Sequence, residues 1–255
     1  MDKKSRSNNF RVEAITVVFT MVIFPILVLF PTVSVKGSEQ SANLSPFIKK
    51  YIAQNAAPIG ESRQLVFATN RDDSSALVTI HILEKNNGVW HFVFPGFAGS
   101  IGEKGFAAID KKREGDGKSP SGIFPLGTAF GHDPSVATKM PYRRATGEDF
   151  WVDDVNSEDY NKWVKGKPAA ASWERMKRDD DQYKYGIVIE YNLNPIVKGK
   201  GSAIFLHVWK DRGSTVGCVA MPEEMVLKLL AWLDPAKKPL IVMGTEAELS
   251  AMRSP

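Results

Sequence analysis

Apolar and polar positions alternate along much of this chain with the two-residue period of β-strands. In Leu77–Leu83, Leu77, Thr79, His81 and Leu83 share one face, and Val78, Ile80 and Ile82 share the other. Gln64–Thr69 is a strand of the same type just before it. Asn86-Asn87-Gly88 supplies a turn, after which Val89–Phe94 runs back, so the pattern predicts a hairpin. Gly96, Gly99, Gly102 and Gly105 then predict a loop-rich crossing, and Gly122–Phe130 a further strand. Residues 131–181 are polar and irregular, anchored by Tyr142, Phe150, Trp151, Tyr160, Trp163 and Trp173. Loops are expected there, with short helices around Glu158–Lys165 and Ala169–Lys177. Tyr185–Tyr191 and Ala203–Trp209 are strongly β-like, and Leu240–Met243 reads as the last strand.

The helical period of 3.6 appears only at the margins. Ser45 fits an N-cap and Pro46 the first helical position of a helix reaching Ala56. Met221-Pro222-Glu223-Glu224 starts another, with acids in its first turn and Val226, Leu229, Leu230 and Leu233 as a buried stripe. No β-α-β series is present. The fold class is therefore mainly β with peripheral helices (α+β), in one unit of about 200 residues.

Hydropathy changes the picture at the N-terminus. Lys3, Lys4, Arg6 and Arg11 precede a chargeless apolar run from Ala14 to Val35, which is followed by small residues. That order predicts a signal peptide or an N-terminal membrane anchor over residues 1–37. Residues 38–62 read as a linker and short helix, and residues 63–255 as the main domain. Residues 1–37 hold five of the 33 basic and two of the 29 acidic residues, which leaves 28 against 27. The net charge of +4 is thus mostly a targeting feature, and no clustered basic face argues for nucleic acid. Export places the domain in the periplasm or cell envelope, and a monomer is expected.

The chain has one cysteine, so it forms no internal disulfide, and a lone thiol in an exported protein points to reactivity or to a small buried residue. Its setting favours reactivity. His207 lies near the end of a predicted strand, Lys210–Ser214 form a short polar loop, and Thr215-Val216-Gly217-Cys218 follow. A loop of that length can return Cys218 beside His207, which would serve as base to the thiol. Gly217 allows close backbone approach, and amides at Gly217 and Cys218 could hold an oxyanion. Thr215 and Ser214 are placed to support His207 or substrate. The helix after Pro222 would favour thiolate, so a thiol titrating below the free value of about 8.5 is expected. His81 and His91 fall in strands, and His132 reads as a turn residue. Asp153, Asp154, Tyr160 and Asn161, and the charged run Arg178–Asp181, read as solvated turns.

His207, a loop, then Thr215-Val216-Gly217-Cys218 resembles the catalytic signature of L,D-transpeptidases. A second stretch agrees: Arg113-Glu114-Gly115-Asp116-Gly117-Lys118-Ser119-Pro120-Ser121-Gly122-Ile123-Phe124-Pro125-Leu126-Gly127 is similar to the family's Gly-x-x-x-(Ser/Thr)-Pro-x-Gly-x-Phe segment. The resemblance spans residues 64–245. The family's second His, before Gly-Cys, is Val216 here, and the residue two beyond the Cys is Ala220. The resemblance implies a β-sandwich carrying Cys218 as nucleophile and His207 as base. It implies acyl transfer on peptidoglycan stem peptides: attack at the third, diamino acid residue, release of D-alanine, and transfer to an amine. No metal or organic cofactor is implied. The alternatives are a secreted Cys-His hydrolase (L,D-carboxypeptidase or amidase) and a non-catalytic wall-binding module.

The leader reading has a direct consequence. A fusion lacking residues 1–37 should remain soluble in the cytoplasm, and its appearance outside would refute the reading. N-terminal sequencing of the exported full chain separates cleavage, with a start near Ser38, from an anchor that retains Met1.

Overall fold

The structure is a computed structural model that describes residues 44–252, apart from Asp73 and Asp211. The predicted leader lies outside the described residues. The described chain runs α1 (Pro46–Gln54), α2 (Ala56–Ile59), β1 (Gln64–Asn70), β2 (Leu77–Asn86), β3 (Val89–Ser100), β4 (Gly122–Gly131), β5 (Tyr142–Arg144), β6 (Asp149–Val152), β7 (Trp163–Lys165), β8 (Trp173–Arg175), β9 (Tyr185–Ile189), β10 (Phe205–Val208), β11 (Val219–Met221), α3 (Glu223–Trp232), β12 (Leu240–Thr245) and α4 (Glu246–Ala251). The fold is mostly β with few short helices, as the alternation predicts.

Nine strands form the main sheet in the order β12-β1-β2-β3-β11-β10-β9-β4-β5. β12 also pairs with β4, so eight strands close on themselves and leave β5 outside the ring. Closure removes the exposed edges that an open sheet would present. Inside lie Val78, Ile80 and Ile82, which share one face of β2, with Ile187, Leu206 and Val219. Val226, Leu229 and Leu230 of α3, with Leu233 at its C-cap, join the same core and are wholly buried, so the helical stripe is where its spacing places it. The α1 helix is capped by Ser45, whose Oγ accepts from Ile48 N–H. It packs Ile48 and Tyr51 on Leu65, Phe67 and Val242 in a second core cluster.

Two expectations are corrected. The predicted crossing at Gly96 and Gly99 is instead the second half of β3, paired with β2 through a bulge near Ile82. Those glycines mark crowding: a Cβ on Gly96 would meet His81 Cε1 at 2.6 Å, and one on Gly99 would meet Ile80 Cδ1 at 2.4 Å. The second correction concerns the two short helices predicted within residues 158–177. That region holds strands β7 and β8, which flank β6 in a separate three-stranded sheet. Each is three residues long, too short for an alternation to register.

The small sheet is held by aromatic contacts centred on Phe205 of β10. Its ring lies 4.9 Å from Trp151, 5.4 Å from Phe130 and 5.5 Å from Tyr183, all edge-to-face. Asp149, buried at the start of β6, accepts from Trp163 Nε1, Thr146 N–H and Oγ1, and an Arg143 nitrogen. Burial pushes its pKa up, but these bonds outweigh it and bring the group down to about 2. Asn161 accepts at one Oδ1 from Trp151 Nε1 and from Ala203 N–H just before β10. Tyr160 and Asn161 are buried joints between the two sheets, not the solvated turn residues their sequence suggests.

Because Phe205 joins both sheets, Phe205→Ala should destabilise the protein by about 3–5 kcal/mol. Urea denaturation measures this. A loss below about 1 kcal/mol would mean that the small sheet is held by its polar joints alone.

Candidate active site

The site begins with a pairing. β10 and β11 lie parallel, with His207 opposite Ala220. The chain between them leaves the sheet and is tied to the stretch after β3: Thr215 N–H donates to Ile101 O, and Glu103 N–H donates to Thr215 O. On its return it delivers Cys218 immediately before β11. Both predicted residues thus line one cavity of about 380 Å³, with Lys112, Glu114, Asp153, Glu174, Arg178 and Tyr183 among the other walls.

Cys218 is buried, at 7% exposure. Its Sγ lies 3.2 Å from Ala203 O and 3.3 Å from Phe205 N–H, so the strand that carries His207 also positions the sulfur. His207 is buried at 3% and its Nδ1 lies 2.9 Å from Val208 O. A carbonyl can only accept, so Nδ1 carries the hydrogen and Nε2 is the basic nitrogen. Tyr183 packs edge-on to the imidazole at 5.2 Å.

The electrostatics correct the expected lowered thiol. Burial pushes Cys218 up to about 12, with Glu174 adding to the rise; hydrogen bonds from Phe205 N–H and the Tyr183 hydroxyl oppose it. Burial also takes His207 down to about 4, against the pull of the Val208 carbonyl. The resting pair is therefore a neutral thiol and a neutral imidazole. Its proton must move during attack rather than before it.

The three supporting residues divide. Ser214 lines the cavity. Thr215 Oγ1 accepts from Gly217 N–H at 3.1 Å and donates to Cys218 O at 2.7 Å, so it braces the nucleophile turn rather than His207. The Gly217 amide, expected to face a substrate oxygen, is occupied by that hydroxyl in this state. Gly217 also needs to be small, since a Cβ there would lie 3.1 Å from Lys118 O. Val216, in the position of the family's second His, is 74% exposed.

The second sequence motif buttresses the first. Ser119, fully buried, donates to Gly217 O at 2.6 Å and accepts from Gly102 N–H at 3.0 Å. Asp116 accepts from Lys112 Nζ at 2.7 Å and from Lys118 N–H, folding the turn that leads to Ser119. Of the remaining histidines, His132 pairs with Asp181 at 3.8 Å and does not line the cavity, while His81 and His91 lie in β2 and β3.

Two lining groups were read from sequence as solvated. Asp153 lines the cavity, with Oδ1 buried and without a hydrogen-bond partner. Arg178 reaches the wall and sits 5.2 Å over the Tyr183 ring while pairing with Asp180. Glu174 and Tyr183 were missed altogether, because a single Glu in an irregular segment and a Tyr before a strand carry no spacing signal. Among the described residues no cluster of His, Cys, Asp or Glu is suited to a metal ion.

No curated protein matches the chain. Among solved structures, the crystal structure of the helical cell shape determining protein Pgp2 from Campylobacter jejuni is similar over 78% of this chain, at 19% identity with a TM-score of 0.37. The match spans 56% of that chain, little more than half its length. The YkuD family, the L,D-transpeptidase catalytic domain, matches residues 72–243. The chain belongs to that family of L,D-transpeptidase-type peptidoglycan enzymes.

Proposed function

We propose that this chain is an exported cysteine acyltransferase acting on peptidoglycan stem peptides, with Cys218 as nucleophile and His207 as base. The observation that carries the reading is a single one: the lone thiol and an Nδ1-anchored imidazole line the same cavity. Its volume suits a peptide end, being within the usual ligand range of about 300–1,000 Å³.

The chemistry follows from the neutral resting pair. His207 Nε2 takes the proton of Cys218 as sulfur forms a bond to the carbonyl carbon of the diamino acid at position three. The carbonyl π electrons move onto oxygen. When they return, the C–N bond to the terminal D-alanine breaks, and the imidazolium gives its proton to the departing amine. A thioester on Cys218 is left. An amine of a second stem, deprotonated by His207, then attacks it; the C–S bond breaks and the sulfur regains a proton. Water in place of the amine would make the product of a carboxypeptidase. Resolution of the thioester requires an oxyanion donor, and rotation of Thr215 would free Gly217 N–H for that role. Neutral burial of both partners keeps the site from reacting indiscriminately, since little thiolate stands free.

Three outcomes test this. Incubation with purified stem tetrapeptide should give intact protein heavier by the acyl group, and Cys218→Ala should abolish both the adduct and D-alanine release. Product analysis with and without an added amine then separates transfer from hydrolysis. His207→Ala should slow acylation by about 10²–10⁴-fold with the fold retained. An unaffected rate would mean that another group takes the proton.

A fourth outcome concerns pH. His207, depressed to about 4, stays neutral through the range in which an ordinary histidine would charge. The acid limb of kcat/KM should therefore lie well below pH 6.5. For stability the sign is fixed: between about 6.5 and about 4 the unfolded chain binds a proton here that the folded one refuses, so His207 costs stability as pH falls through that window. A histidine NMR titration with its midpoint near 6.5 would overturn the assignment of a desolvated base.

A further inference from the structure

Tyr183 lines the cavity, and the acyl-transfer scheme above makes no use of it. It is buried at 4%, immediately ahead of β9. Its ring contacts Phe205, whose N–H holds the sulfur, and lies edge-on to His207. Its hydroxyl is joined to Glu174 Oε2 by a very short hydrogen bond, and it lines the cavity with Cys218 and interacts electrostatically with that sulfur. Glu174 comes from β8 of the small sheet, opposite Trp151. One hydroxyl therefore stands between a carboxyl on one element and the nucleophile on another.

Counting protons gives the arrangement a direction. A tyrosine hydroxyl has one hydrogen to donate and can also accept. If Glu174 is ionised it can only accept, so it draws that hydrogen and leaves none for sulfur. If Glu174 carries a proton, it donates to Tyr183 Oη, and the tyrosine hydrogen is free to turn to Cys218. A thiolate forming in a dry cavity gains most from such a donor, because no water replaces it.

We propose that Tyr183 is a further catalytic residue of this site, donating its hydroxyl hydrogen to the Cys218 sulfur as the thiolate forms, and that Glu174 positions it by supplying a proton to the other side of the same hydroxyl. The donor chain Glu174–Tyr183–Cys218 is complete only in the protonated state of Glu174. The proposal rests on Cys218 being the nucleophile, but not on the identity of the acyl substrate. No bond other than hydrogen bonds changes along the chain, and the thiol proton still goes to His207.

The neighbourhood of Glu174 supports its holding a proton. Asp153, from the end of β6, and Glu114, from the second motif, both face it as like charges; Arg178 is the opposing cation, with Lys112, His207 and Cys218 around the same cavity. Burial, foremost, and those carboxylates push Glu174 up to about 7 against the Tyr183 hydrogen bond and Arg178. The positioning state is therefore populated at neutral pH and lost in alkali.

Iodoacetamide alkylation of Cys218 in the full chain reads the thiol without any peptidoglycan substrate. Glu174→Gln mimics the protonated acid, since its amide can donate to Tyr183 Oη. The wild-type rate divided by the Glu174→Gln rate should be near one at pH 5 and fall about tenfold by pH 9, through a midpoint near 7. Tyr183→Phe should label about ten- to a hundredfold more slowly than wild type at one pH, with an unchanged melting temperature. In the Tyr183→Phe background, Glu174→Gln should lose at least half of its effect, because its action runs through the hydroxyl. A ratio constant across pH, full-rate labelling of Tyr183→Phe, or an undiminished Glu174→Gln effect in that background would each overturn the proposal. Should Tyr183→Phe fail to fold, the pH dependence of the wild-type to Glu174→Gln ratio decides alone. If no acyl adduct forms with stem peptide while the ratio behaves as stated, the reaction assigned above fails and this inference stands.

Discussion

The site depends on the parallel pairing of β10 with β11. Parallel neighbours usually need a crossover of a dozen or more residues, because the chain must return to the end from which it started. Here ten residues, Trp209–Cys218, make the return. So short a connection cannot carry a helix, and it is held open by backbone bonds to Ile101 and Glu103 and by Ser119 beneath Gly217. That constraint fixes where Cys218 can be: at the mouth of β11, with its sulfur against the first amide of β10 and His207 two residues further along the same strand. Loosening any of those ties would move the nucleophile without touching either reacting side chain.

Placing the pair in an aromatic wall has an electrostatic consequence. Tyr183 lines the cavity, and Phe130, Trp151 and Phe205 pack with it and Cys218 in one buried cluster, a setting that favours neutral forms of both thiol and imidazole. The charged state then exists only along the reaction coordinate, where preorganised donors matter most. The same desolvation acts on Glu174, a carboxyl that elsewhere would stay ionised at neutral pH. One physical cause, burial beside aromatic rings, therefore sets the protonation of three groups drawn from three separate strands or loops. The small sheet β6–β8 is best understood in this light. It adds little to the main core, but it closes the cavity and carries Glu174 to it.

Of the main sheet, β1, β2, β4, β9, β10 and β12 were legible along the chain, with the α1 cap and the α3 stripe, because each is a local periodicity backed by burial on one side; the three-residue β5 and β11 were not. Val78, Ile80 and Ile82 show this for a strand, and Val226, Leu229, Leu230 and Leu233 for a helix. The second half of β3 was not, since Gly96 and Gly99 look like loop residues until His81 and Ile80 are seen occupying the space of their missing side chains. Nor were β7 and β8, whose three residues apiece pair only because Phe205 and Asp149 hold the small sheet together.

For the site, the sequence by itself determined the chemical elements: a single thiol after a glycine, a histidine a short loop upstream, and a Ser-Pro motif whose order matches a family. Those are properties of neighbours in the chain, and spacing is enough to express them. Only the tertiary structure decided what those elements do electrically and what stands beside them. Thr215 braces the turn instead of the base, Arg178 and Asp153 wall the cavity instead of facing solvent, and Glu174 and Tyr183 meet Cys218 across long stretches of chain. The physical reason is that desolvation and hydrogen-bond geometry depend on distances in space. Those distances exist only once the sheet has closed and the small sheet has docked on Phe205.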